Sequence, residues 1–232
     1  MRTNIEKWYP AICLFGMSSS IVLATDTLEF IGSIAAEATV YEELVSENGG
    51  GYREVCVGNL GSLNKTRHAY IRYDLPVVPE GAELLRVQLV LVQDRVRSSG
   101  PGAPKSATMR LRRVTTAWIE GAGTGAGIGP CRDGGRVVGI NWAEVPAISG
   151  LESASALLPS QSPVTITIDT DDGTSNDQLI ADILAWYADP DSNFGWRLLV
   201  EDVVDNARAL VPGDLILTWS DPDSIFNDGF EE

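Results

Sequence analysis

Residues 67–75 read RHAYIRYDL, and this stretch decides the class of fold. Its apolar side chains Ala69, Ile71 and Tyr73 fall on every second position. Because side chains of a β-strand alternate between the two faces of a sheet, this period of two predicts a strand that turns these three residues towards a core. The positions between them include His68, the only histidine, which is predicted to lie on the outer surface.

The same alternation recurs along the chain, with Gly, Pro, Asn and Asp between the apolar runs. Strands at this spacing, without the alternation of strand and helix that builds a parallel sheet, predict an all-β fold: an antiparallel β-sandwich or jelly roll. The predicted strands are residues 37–45, 53–60, 67–75, 84–94, 107–118, 163–170, 195–202 and 214–219.

One short helix is predicted within residues 176–190. Leu179, Ile183 and Tyr187 recur at a spacing of four, which places them on one helical face, and Pro190 ends the pattern. The predicted fold class is therefore an all-β sandwich with a single helix.

The first 24 residues have the pattern of a signal peptide. Arg2 and Lys7 give a positive head, residues 11–24 are apolar, and Val22 and Ala24 are small residues at the positions that precede cleavage. The sequence thus predicts a bacterial protein that is secreted or held at the cell surface, with no transmembrane segment after cleavage. The predicted divisions are a signal peptide (1–24), a linker (25–36), the β-sandwich (37–219) and an acidic tail (220–232).

Removal of this segment leaves two cysteines, Cys56 and Cys131. Exported proteins form disulfides readily, so the count favours one bridge between them. The alternative is two separate buried thiols.

Charge and residue usage argue against several functions. The formal net charge of −15 lacks the basic surface that nucleic acid requires. With one histidine and no nucleophile motif, neither an ordinary zinc site nor a histidine-based active site is expected. The prediction is that the protein is not an enzyme. A glycosidase needs only two carboxylates, and the sequence marks no particular pair.

Acidic residues in two places are candidate ligands for a structural calcium ion, which takes six to eight oxygen atoms. Glu42 and Glu43 lie on the opening strand, and Asp189 and Asp191 lie in the turn after the helix. The alternative is that these are solvated acidic side chains of ordinary turns.

Aromatic residues divide into two groups. Trp118, Trp186 and Trp196 adjoin apolar periodic runs and are predicted to pack in the core. The ligand-binding candidates are Tyr41, Tyr52 and Trp142, because flat rings stack on sugar faces.

Four blocks in this order resemble the DNRLRE-domain family: ATVYEE (38–43), RHAYIRYDLPVVPEGAELLRVQLVLV (67–92), LRRVTTAWIEG (111–121) and LIADILAWYADPDSNFGWRLLVED (179–202). The resemblance spans about residues 37–219. It implies a jelly-roll domain of secreted and cell-surface proteins, with some relatives classed as carbohydrate-binding modules.

The resulting hypothesis is a non-catalytic extracellular or cell-surface binding module whose partner is a polysaccharide or surface glycan. A structural or adhesive surface protein without a small ligand is the alternative, and a glycan-acting enzyme is the least favoured.

Overall fold

The computed structural model describes residues 27–59, 66–97, 104–123, 131, 139–171, 177–200 and 206–222. The predicted signal peptide and residues 223–232 of the predicted tail lie outside this part of the chain. Nine strands and one α-helix form the described fold, and we number them in chain order. They are β1 (Thr27–Tyr41), β2 (Val55–Asn59), β3 (Thr66–Asp74), β4 (Leu84–Arg97), β5 (Ala107–Arg113), β6 (Ala154–Leu158), β7 (Val164–Asp169), α1 (Gln178–Ala188), β8 (Trp196–Val200) and β9 (Asn206–Ser220).

The strands pair antiparallel and build the predicted β-sandwich. Their order is β6-β5-β8-β3-β1-β9-β4-β7, and β2 bridges β3 and β9. The first part of β1 pairs with β9, and its second part, from Ser33 onward, pairs with β3. Strands β1 and β2 therefore join a layer of β3, β8, β5 and β6 to a layer of β9, β4 and β7.

One apolar core fills the space between the two layers. It takes Ala69, Ile71 and Tyr73 from β3, as the alternation predicts, and buried residues from every other strand except β1, which contributes only the partly buried Phe30. The rings of Trp186 and Trp196 lie 4.6 Å apart at its centre and are almost fully buried. These observations confirm the all-β class and the packing role predicted for these two tryptophans.

Helix α1 packs on this core through Leu179, Ile183 and Trp186. Between them lies Asp182, a fully buried carboxylate. It accepts hydrogen bonds from Ser153 Oγ (2.5 Å) and Trp196 Nε1 (3.0 Å), and Arg113 Nε is 3.5 Å away. Buried carboxylates need such partners, and here the partners tie the helix to the sheet.

The strands predicted at 37–45 and 107–118 end earlier than predicted, at Tyr41 and Arg113, and three further features differ from the sequence prediction. Residues 27–36, predicted as linker, belong to β1, where Phe30 pairs with Leu217 and packs on the core. Strand β9 begins at Asn206, eight residues before the predicted start, and continues through Pro212 with an irregularity in its pairing to β4. Strand β6 was not predicted. In each case strand pairing overrides a weak local pattern.

The predicted disulfide is present. Cys56 on β2 is bonded to Cys131, with their Cα atoms 5.2 Å apart. Both residues are buried, in a small cluster with Ala207 and Ala209 of β9. The carbonyl of Cys131 also accepts a hydrogen bond from Arg67 Nε at 3.2 Å, so Cys131 is fixed to both β2 and β3.

Within the described residues, no helix is long and apolar enough to cross a membrane.

Candidate functional site

The outer face of β3 is covered by a second apolar cluster. Tyr70 points away from the main core and packs with Ala38 and Val40 of β1 and with Ile140. His68 lies on this face too, half-buried, with its ring centroid 4.8 Å from that of Trp142. The prediction of an ordinary surface position for His68 is wrong, because the segment that carries Trp142 folds across the strand.

Two half-buried tryptophans lie on this face. Trp142 stacks on His68, and Trp118 lies 5.7 Å from the ring of Tyr70 and donates Nε1–H to the carbonyl oxygen of Phe194 at 2.7 Å. Trp118 is thus less buried than its predicted core role requires. Beside it is a shallow cavity of about 440 Å³, lined by Ala117, Trp118, Ile119, Gly139, Ile140, Asn141 and Glu144.

Arginines occupy the same face next to the aromatic rings. Arg112 of β5 lies directly opposite Arg197 of β8, which in turn lies opposite Tyr70. The guanidinium carbon of Arg72 is 5.9 Å from the centroid of the Trp118 ring. We call Arg72, Arg112, Arg197, Trp118 and Trp142 the arginine–aromatic face. It concentrates positive charge in a chain whose net charge is −15.

The hydrogen-bonding capacity of these arginines is only partly used. The buried Nε atoms of Arg112 and Arg197 have no acceptor among the described residues. Arg110, the next outward residue of β5, differs because it forms an ion pair with Glu152 at 3.1 Å. The pair Arg112–Arg197 therefore combines two like charges with unsatisfied donors.

Burial and Arg197 also set the ionisation of the neighbouring ring groups. Burial first, and the positive charge of Arg197 second, lower the pKa of His68 to about 3. Burial raises the pKa of Tyr70, although Arg197 acts in the opposite direction. His68 and Tyr70 are thus neutral at pH 7, and the charge of this face comes from its arginines.

The predicted ligand-binding aromatics do not all lie at this face. Trp142 does. Tyr41 is fully buried, with the Arg67 guanidinium 5.5 Å from its ring centroid, so it has no ring face to offer a sugar and the prediction for it is wrong. Tyr52 is half-buried in the loop after β1, where its backbone nitrogen donates to the Gly49 carbonyl at 3.1 Å.

The four predicted calcium ligands lie in two places. Glu42 Oε2 accepts a hydrogen bond from the Thr66 nitrogen at 3.1 Å, and the Glu43 carboxylate forms an ion pair with the buried Arg67. Asp189 and Asp191 are exposed in the turn after α1. The described residues contain no group of three or more His, Cys, Asp or Glu placed to hold a metal ion. Calcium binding remains a prediction.

The arginines of the face were missed although their signal is present. Alternation in β5 turns Met109 and Leu111 inward and therefore Arg110 and Arg112 outward. Only the pairing of β5 with β8 shows that Arg112 meets Arg197. That pairing joins residues 85 positions apart in the sequence, which no local pattern reveals.

No protein-family model matches the sequence, and no curated protein is detectably similar to it.

Proposed function

We propose that the protein is a non-catalytic extracellular or cell-surface module that binds a polysaccharide bearing carboxylate or sulfate groups through the arginine–aromatic face. The observation that carries this proposal is the opposition of Arg112 and Arg197 on the sheet face where the half-buried Trp118 and Trp142 pack against Tyr70 and His68. Tryptophan rings stack on the apolar faces of sugars, and guanidinium groups bind carboxylates and sulfates through paired N–H donors.

The electrostatics of the arginine pair support an anionic ligand. Like charges that lie directly opposite on neighbouring strands destabilise a sheet. An anion shared by Arg112 and Arg197 would remove this repulsion and accept hydrogen bonds from donors that are otherwise unsatisfied. A planar guanidinium is suited to such a role because its donors are held in a fixed fork.

The face also explains how an acidic protein could bind a polyanion. The net charge of −15 repels such a ligand at long range, but at about 0.1 M salt this repulsion is screened beyond about 10 Å. Within about 10 Å of the face, the attraction of the ligand to the three arginines outweighs this repulsion. Added salt should therefore weaken binding only moderately, and the stacked tryptophans should retain part of the affinity.

Affinity gel electrophoresis tests the proposal with polygalacturonate, which carries one carboxylate per sugar, and dextran, which carries none. We expect retardation by polygalacturonate, none by dextran, and none for heat-denatured protein with either polymer. Absence of retardation with both polymers, and with a sulfated galactan, would favour the structural or adhesive alternative. Release of new reducing ends from a polymer would instead indicate a glycan-acting enzyme.

Secretion is part of the same proposal and rests on residues 1–24. Export with cleavage after Ala24 gives a mature protein that begins at Thr25, within a few residues. Mass spectrometry of the protein from the culture medium measures this terminus. Recovery of the chain only from the cytoplasm, with Met1 retained, would contradict it.

A further inference from the structure

The segment of residues 118–123 carries Trp118, which packs on Tyr70 of β3, and it contacts β1 at Glu37. Four hydrogen bonds fix the segment besides that of Glu120, and one of them runs from the Gly51 nitrogen to the Gly123 carbonyl at 3.2 Å. Trp118 Nε1 donates to the Phe194 carbonyl (2.7 Å), the Ile140 nitrogen donates to the Ile119 carbonyl (2.7 Å), and the Gly123 nitrogen donates to Asn48 Oδ1 (3.1 Å). Gly50 packs so closely on the Glu120 carbonyl that a Cβ atom would lie 2.3 Å from it.

Glu120 adds a fifth hydrogen bond, directly to β1. Its Oε1 accepts a hydrogen bond from the backbone nitrogen of Glu37 at 3.0 Å. The side chain of Glu37 lies beside this contact, and its Oε2 atom is buried with no hydrogen-bond partner among the described residues. Two carboxyl groups thus share a partly buried position where the 118–123 segment meets the sheet.

The charges around Glu37 make its ionisation unfavourable. Burial is the largest cause, the Glu120 carboxylate is the second, and the exposed Arg53 offsets them only in part, which raises the pKa of Glu37 to about 7. On the other side lies Tyr73, whose own pKa is raised by burial and by Glu37 and Asp214. Tyr73 is therefore a neutral phenol and supplies no positive charge.

We propose that Glu37 and Glu120 form a pH-sensitive latch that holds the 118–123 segment against β1. When Glu37 is neutral, the Glu120 carboxylate accepts the Glu37 N–H without a second negative charge beside it. When Glu37 ionises, two carboxylates repel each other in a partly buried site, and the segment separates from β1 more often. The latch acts on the position of Trp118, and it does not depend on whether the face binds a polysaccharide.

The sign of the effect follows from the two states of Glu37. With the segment open, the Glu37 carboxyl is hydrated and has its ordinary pKa near 4.5, whereas with the segment closed the pKa is about 7. Opening therefore releases a proton between these two values, and a rise in pH across this range favours the open state. Each pKa unit corresponds to a tenfold change in the opening equilibrium.

Hydrogen–deuterium exchange of peptides that cover residues 118–123 tests the latch at pH 5.5 and 8.5, with rates corrected for intrinsic exchange. In the wild-type protein we expect protection of this segment to fall roughly thirtyfold at the higher pH, because pH 5.5 lies about 1.5 units below the closed-state pKa of about 7 and each unit contributes a tenfold change. The isosteric variant Glu37→Gln keeps the shape of the neutral side chain and should show nearly constant protection. Glu80→Gln, at an exposed position, is the matched control and should behave as the wild type does.

An equal change of protection with pH in the wild type and in Glu37→Gln would overturn the proposal. Glu120→Gln provides the second arm. It retains an acceptor for the Glu37 N–H but removes the repelling charge, so the change with pH should shrink and move to lower pH. An unchanged profile in Glu120→Gln would show that the two carboxyl groups do not act on each other.

Discussion

Arg112 and Arg197 face each other across the pairing of β5 with β8, and Tyr70 of β3 lies next in the same row. Two guanidinium groups in this arrangement raise the free energy of the folded state unless an anion lies between them. The opposed arginines therefore lower the stability of the fold and also form the candidate binding site for an anion. Such a local loss of stability is common at functional sites.

Asp182 should be the most sensitive polar position of the core. Replacement by Ala removes the acceptor of Ser153 Oγ and Trp196 Nε1 and leaves Arg113 without its carboxylate. We expect the free energy of unfolding to fall by about 2–5 kcal/mol, because two buried donors lose their acceptor at about 1–3 kcal/mol each. Urea denaturation measures this decrease in the free energy of unfolding. Asp189→Ala, an exposed position beyond the same helix, should cost under about 0.5 kcal/mol. Equal effects of the two variants would contradict the role of Asp182.

The Cys56–Cys131 disulfide should stabilise the fold by restricting the unfolded chain. The bridge closes a loop of 75 residues, for which the chain-entropy relation gives about 4 kcal/mol. The double variant Cys56→Ala/Cys131→Ala should lose about this amount in guanidinium denaturation. Peptide mapping without reductant is the accompanying control, and free thiols at both positions in secreted wild-type protein would refute the bridge.

Glu43 should stabilise the fold through Arg67. Glu43→Gln removes the negative charge that pairs with a guanidinium that is 1% exposed, so the melting temperature should fall. Because the carboxylate is engaged by Arg67, we expect the same decrease in millimolar calcium and in chelator. A decrease that occurs only in calcium would assign Glu43 to the predicted calcium site. Coincident wild-type melting curves in calcium and in chelator would show that no structural calcium site exists.

His68 should make the fold less stable in acid. Its pKa is about 3 in the folded protein and about 6.5 when unfolded, so stability is unaffected above pH 6.5 and is lost as the pH falls towards 3. At pH 5, the wild-type protein should bind about one proton more on unfolding than the His68→Asn variant does, because His68 becomes protonated only in the unfolded chain. Denaturation curves at pH 7.5, 6 and 5 give this difference. Parallel pH profiles for the two proteins would contradict the buried, neutral state of His68.

The sequence predicted those parts of the fold that rest on local patterns. Alternation in β3 and β7 is strict because one face of each strand meets the main core, and the period of α1 is clear because Leu179, Ile183 and Trp186 share one face. The predicted export signal, together with the two cysteines that follow it, was sufficient to predict the disulfide.

The features that the sequence did not predict depend on contacts between segments that are distant in the sequence. The first half of β1 is weakly patterned, since Ile31 and Ile34 are exposed, and it becomes a strand only through its pairing with β9. His68 and Tyr41 were misplaced for a related reason: each lies under side chains from segments distant in sequence, Trp142 over His68 and Arg67 over Tyr41. The candidate site likewise depends on which strands become neighbours.

The most direct test of the central claim is the dissociation constant for a polygalacturonate oligomer, measured by isothermal titration calorimetry with the wild type and three variants. Arg197→Gln should weaken binding about tenfold or more, as expected for the loss of a charge-assisted hydrogen bond, and Trp142→Ala should also weaken it. Arg95→Gln, at a half-exposed arginine of β4 that pairs with Glu54, should bind as the wild type does. Equal affinity of Arg197→Gln and Arg95→Gln, with both variants folded, would contradict the assignment of the arginine–aromatic face.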